Sequence, residues 1–211
     1  MNAPAVRFGA AALFLLLALP PARAWLEATM TRHMLVQIPL LVAVGVLLGG
    51  GLAARVRRAL LTAAGGPLGG LTAAAFTSTY WMLPRALDAA VADVWVDAVK
   101  FATLPLLVGL PLALAWRPLG AVGRGFVWTN LISMLLFVGW LYVAAPVRVC
   151  NSYLTDDQAQ AGWAMIQIAG LVFAAWFAAL FVGRPRDAQR GAIGDNGLRP
   201  TPASRGQPLF R

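Results

Sequence analysis

The chain is a succession of apolar runs, each about as long as a bilayer is thick, parted by short segments that carry most of its charge. An α-helix needs roughly 20 apolar residues to cross the hydrocarbon core. Inside lipid, only a helix or a closed barrel pairs every backbone group. Residues 79–116 show the pattern. An apolar run closes on Tyr80 and Trp81, meets Pro84 and Arg85, and passes into a polar stretch in which Leu87, Val91, Val94 and Trp95 fall at helical spacing. Asp88, Asp93 and Asp97 lie off that stripe. After Lys100 the chain is apolar again to Trp116 and Arg117. The expectation is a span, an amphipathic helix on the membrane surface, and a returning span.

Composition agrees. Of 211 residues, 60% are hydrophobic and 12% charged, against about a quarter charged in a soluble domain. The predicted fold is all-α, a polytopic transmembrane helical bundle. The net charge of +9 is a weak pointer to nucleic acid, because the arginines stand at the ends of spans and in a tail. A single cysteine, Cys150, excludes an intramolecular disulfide framework.

Residues 1–24 join Arg7 to a short apolar core, two prolines and Ala22-Arg23-Ala24, the pattern of a signal peptide cleaved after Ala24 or, uncleaved, of an N-terminal anchor. Further spans are expected over 34–54, 61–83, 101–116, 126–145 and 162–182, giving five spans after cleavage and six without it. Pro105 and Pro111 are expected to bend the third of these. Arg55, Arg57, Arg58, Arg117, Arg124, Arg184, Arg186 and Arg190 would lie inside, against Arg32, Arg85, Lys100 and Arg148 outside. That asymmetry implies a bacterial-type inner membrane protein with a cytoplasmic C-terminus. The helical bundle is then residues 25–183. Residues 184–211, rich in Arg, Gly and Pro, read as a disordered basic tail.

Gly45/Gly49, Gly65/Gly69 and Gly66/Gly70 are small-xxx-small pairs suited to close helix packing in lipid. One histidine rules out a histidine-rich zinc site, and no phosphate loop or dinucleotide fingerprint is present. The remaining candidates are soft ligands. Met30, His33, Met34 and Met82 are expected on the outer side, with Cys150 and Met165 as further candidates, and such donors suit Cu(I). Met30, His33 and Met34 share one helical face. The competing reading is ordinary: methionine is a common apolar filler, and one histidine at a span end is an interfacial polar residue. Asp97 and Lys100, three apart, read as a solvated surface pair. Asp156 and Asp157 read as the N-terminal signal of the last helix.

Three stretches together resemble the CtaG family of cytochrome c oxidase assembly factors. They are His33-Met34 with Gln37 opening an early span, Trp81-Met82-Leu83-Pro84 ending another before the amphipathic helix, and Asp157-Gln158 with Gly162 and Met165 opening a late one. The resemblance covers roughly residues 30–175. It implies the family's helical fold and a role in copper handling. Where the family carries histidines and a glutamate, this chain has Met82, Asp97, Lys100 and Phe101, and Ile38 stands near the place of a further histidine. Of the ligands the resemblance implies, only His33 keeps its identity.

Two functions follow. One is an accessory factor for copper delivery to, or assembly of, a respiratory oxidase, with oxidase subunits as partners. The other is a non-metal membrane scaffold binding other membrane proteins through its helices. No paired acid and base, activated nucleophile or small-molecule substrate is indicated, so an enzyme is not expected.

Overall fold

The computed structural model describes residues 3–181 of the chain. The described residues fall in two units, 3–174 and 175–181. The expected basic tail, 184–211, lies outside the described residues. Within them the fold is all-helical: α1 (Ala3–Ala18), α2 (Pro20–Glu27), α3 (Met30–Gly50), α4 (Ala54–Ala63), α5 (Gly66–Trp81), α6 (Pro84–Ala92), α7 (Val94–Ala115), α8 (Ala121–Ala144) and α9 (Thr155–Phe181). Helices α3, α7, α8 and α9 are each long and apolar enough to cross a membrane. The number rises to six if the bent pairs α1–α2 (69°) and α4–α5 (71°) each count as one span.

The core of the first unit is the crossing of α3 with α7. Each helix contains one widened turn, at His33–Gln37 and at Leu104–Gly109, closed by bonds reaching back five residues, Ile38 N–H to the His33 carbonyl and Leu110 N–H to the Pro105 carbonyl. Prolines explain their placing. Pro39, Pro105 and Pro111 lack the N–H of a regular ladder and crowd the preceding turn, and a wider turn relieves that crowding without breaking the helix. The two helices then touch backbone to backbone. A methyl group on Gly45 would collide with the Pro105 carbonyl oxygen, and one on Gly109 with the carbonyl of Val42. The Gly45/Gly49 pair thus does what small residues do at helix crossings in lipid.

The other glycine pairs act differently. Gly65 (φ 77°) and Gly66 (φ 79°) form the left-handed turn between α4 and α5, a conformation that costs glycine little. Gly69 packs within the same turn, where a methyl group would collide with the Ala64 carbonyl, and Gly70 packs against Pro111 of α7. The expected span over 61–83 is therefore two helices, and α4, with Arg55, Arg57 and Arg58, buries no residue. The surface helix expected after Pro84 is also divided. Asp93 caps a new helix by accepting the Trp95 N–H at 2.7 Å. The apolar stripe ends there: Leu87 is buried, while Val94 and Trp95 are exposed.

Helix α1 packs along α3, and α5 along α7. Leu71, Ala115 and Leu119 form a small apolar core near the arginine-bearing end. Helices α8 and α9 meet where Gly139 faces Gly162, each backbone standing where the other's Cβ would be. The junction expected to be cleaved after Ala24 falls inside α2. Asp156 and Asp157 occupy the first turn of α9, as expected.

Candidate functional site

Four side chains from α2, α3 and α7 surround one ammonium group. Thr29 opens α3 by accepting the Arg32 N–H, which sets His33 and Gln37, four residues apart, on one face. The Asp93 cap opens α7 and sets Asp97 and Lys100, three apart, on the facing side. Glu27 closes the cluster from the end of α2. Lys100 Nζ lies 2.9 Å from His33 Nε2, 3.0 Å from Gln37 Oε1, 3.2 Å from Glu27 Oε1 and 2.8 Å from Asp97 Oδ1. Its side chain is fully buried.

The three ammonium hydrogens match three acceptors: the imidazole, the amide oxygen and the Glu27 carboxylate. Asp97 Oδ1 is a fourth and closer partner of the ammonium, an ion pair at 2.8 Å. Its other oxygen takes the Arg23 guanidinium at 2.9 Å, and Arg23 Nε stands 3.6 Å from Glu27. Two cations thus face two carboxylates. Buried charges persist in an apolar setting only when paired in this way. Asp97 and Lys100 are therefore not the solvated surface pair their spacing suggested.

The hydrogen-bond pattern also assigns the histidine tautomer. An ammonium has no lone pair, so His33 Nε2 accepts and the ring proton sits on Nδ1. Nδ1 meets the Tyr153 hydroxyl at 2.7 Å, and that hydroxyl donates to the Glu27 carbonyl at 3.1 Å. Tyr153 comes from the loop after α8, which is held from two sides. The Asp88 carboxylate on α6 accepts the amides of Asn151 and Ser152 at 2.7 and 3.0 Å. Gln158 accepts the Val149 amide and donates to the Tyr142 carbonyl. Burial, with the nearby Glu27 charge, pushes the Tyr153 phenol above its ordinary range, which keeps it a neutral donor.

The soft ligands lie elsewhere. Met30 and Met34 are buried beside His33 in sequence, but both histidine nitrogens are taken by Lys100 and Tyr153. Met82 lines an apolar cavity of about 300 Å³ with Ile38, Leu104 and Met134, and its carbonyl accepts the Tyr142 hydroxyl. Cys150 is buried with its thiol directed to the Pro84 carbonyl at 3.8 Å. Met165 packs against Gly139. Among the described residues, no three of His, Cys, Asp and Glu stand at metal-binding distances. The donors that do converge are one nitrogen and oxygens, not the sulfur set that suits Cu(I). The residues present therefore do not fit a copper ion at His33.

Sequence reading did not connect Arg23, Glu27 and Tyr153 with this site. One signal was available for Lys100: among the 17 Lys and Arg residues it is the sole lysine, and it stands where the polar stretch gives way to the apolar run after it. Fold and site together define a class, an all-helical protein of membrane-spanning hydropathy with a closed ion cluster between three helices. No known family, curated protein or solved structure matches the chain.

Proposed function

We propose that the protein is a multi-pass integral membrane protein that acts as a non-catalytic scaffold for other membrane subunits, with its ion cluster serving architecture rather than metal transfer. The observation that carries this reading is the Lys100 ammonium seated on His33 Nε2, at the place where a copper-handling relative would keep a free ligand. A carrier needs donors that open to an incoming ion, whereas these are saturated by the chain itself. The second reading, an assembly factor that delivers copper to a respiratory oxidase, is supported by Met30 and Met34 buried on either side of His33.

Placement in a bacterial-type inner membrane, with the C-terminus cytoplasmic, is supported by the excess of Arg55, Arg57, Arg58, Arg117 and Arg124 on one side over Arg32, Arg85, Lys100 and Arg148 on the other. The deciding experiment is a Cu(I) competition titration on detergent-purified protein, wild type beside His33→Ala. The scaffold reading expects no stoichiometric binding in either protein. Stoichiometric binding that disappears in the variant restores the copper reading.

A further inference from the structure

The donors around Lys100 form a complete cation site, already filled from within. We propose that the Lys100 ammonium is the tethered cation of this site, and that without that side chain the same donors bind one divalent metal ion of borderline hardness, such as Zn²⁺. The inference does not depend on what the protein docks to, and it reverses the copper role its sequence resemblance implies.

Geometry, charge and donor type all bear on it. One imidazole nitrogen, one amide oxygen and two carboxylate oxygens stand 2.8–3.2 Å from a single point, Lys100 Nζ. Zinc bonds to nitrogen and oxygen are about 2.0–2.2 Å, so each donor would move in by roughly 1 Å at most. Glu27 and Gln37 have the rotatable bonds to do so. Arg23 neutralises one of the two carboxylates, which leaves one negative charge for a cation to meet. The nitrogen-and-oxygen set suits zinc and its neighbours better than Cu(I).

The outer parts of a metal site are present as well. Tyr153 holds the His33 ring through Nδ1 and so aims Nε2 at the ammonium, the role that a partner of a metal-ligating histidine plays. A cavity of about 270 Å³, bordered by Phe14, Val94, Arg23 and Asp97, offers a way in. Arg23 is the partly exposed member of the cluster at that mouth.

The test is a Zn²⁺ titration of the full chain in detergent, comparing wild type, Lys100→Gly and Lys100→Gly/His33→Ala. The expected result is no His33-dependent binding in the wild type and one Zn²⁺ per chain in the glycine variant. Affinity should fall about 10–100-fold when His33 is also removed. A folded glycine variant that gains no zinc binding, or a gain that survives loss of His33, overturns the proposal.

A measurement on the wild type keeps the idea testable if the variant does not fold. His33 is the single histidine in the chain, so ¹⁵N-histidine labelling reads its ring directly. The proposal expects a protonated Nδ1, an acceptor Nε2, and no change on adding Zn²⁺. A protonated Nε2, or a zinc-dependent shift, sinks it.

Discussion

Arg23 reaches Asp97 with Nη2 2.9 Å from Oδ2, tying the α1–α2 pair to the first turns of α7. Phe14 and Phe101 meet edge to face along the same seam, with centroids 5.9 Å apart. Cleavage after Ala24 would remove both contacts and leave a buried carboxylate with Lys100 as its one remaining cation.

Retention of the N-terminal helices is therefore expected, and intact-mass measurement of the purified protein checks it. Arg23→Ala should cost about 1.5–3 kcal/mol, the range for a hydrogen bond to a charged group, read as a lowered Tm in detergent. A mature chain beginning at Trp25 with unchanged Tm would show that the pair contributes nothing.

Lys100→Ala should be the more damaging change. It leaves Glu27 and Asp97 facing one another with Arg23 alone, and removing one member of a buried pair costs about 3–5 kcal/mol. Adding Asp97→Asn deletes the surplus charge, so the double variant should melt above Lys100→Ala. Additive losses in this double-mutant cycle would mean that the two side chains are not coupled.

The helix crossing makes a steric prediction. Gly45→Ala drives a methyl into the Pro105 carbonyl, backbone that cannot step aside, and should cost about 3 kcal/mol, the upper part of the overpacking range. Gly170→Ala has open space around it and should stabilise α9 by about 0.5–1 kcal/mol through backbone entropy. Thermal melts of the two variants should therefore shift in opposite directions.

Cys150 predicts a pH response. Burial, then the Asp88 carboxylate, pushes its thiol up to about 12, from an ordinary value of 9.0. The folded protein holds the neutral thiol, so maleimide labelling at pH 8 should be negligible until the protein is unfolded in SDS. An acid with a raised folded-state pKa contributes stability that is fully present below the unfolded value. Here stability should hold up to about pH 9 and decline between 9 and 12. Cys150→Ala should remove the onset of that decline just above pH 9, leaving the part that begins near pH 10 with the Tyr153 phenol, which is also raised.

Much of the helical layout was legible because its signals are local. The runs around Met30–Gly50, Val94–Ala115, Ala121–Ala144 and Thr155–Phe181 stand out by hydropathy, and the Gly45/Gly49 pair by its spacing. The breaks were less visible. Gly65 and Gly66 read as members of the packing pairs Gly65/Gly69 and Gly66/Gly70 because a sequence does not display φ, and Asp93 read as one more acid off the apolar stripe because capping depends on where a helix starts. The widened turns were hidden for a similar reason, since the prolines announce a disturbance but not which way the helix relieves it.

The sequence by itself determined that this chain is a set of apolar helices with its arginines gathered between particular spans. Burial of apolar residues and satisfaction of backbone polar groups act residue by residue, so composition and order suffice. Only the tertiary structure decided what the few polar residues do. Arg23, Glu27, His33, Gln37, Asp97, Lys100 and Tyr153 lie up to 130 positions apart, and each alone reads as an interfacial residue. Electrostatic energy depends on separations of a few ångströms in a medium of low dielectric, and those separations exist only once α2, α3, α7 and the loop carrying Tyr153 have packed.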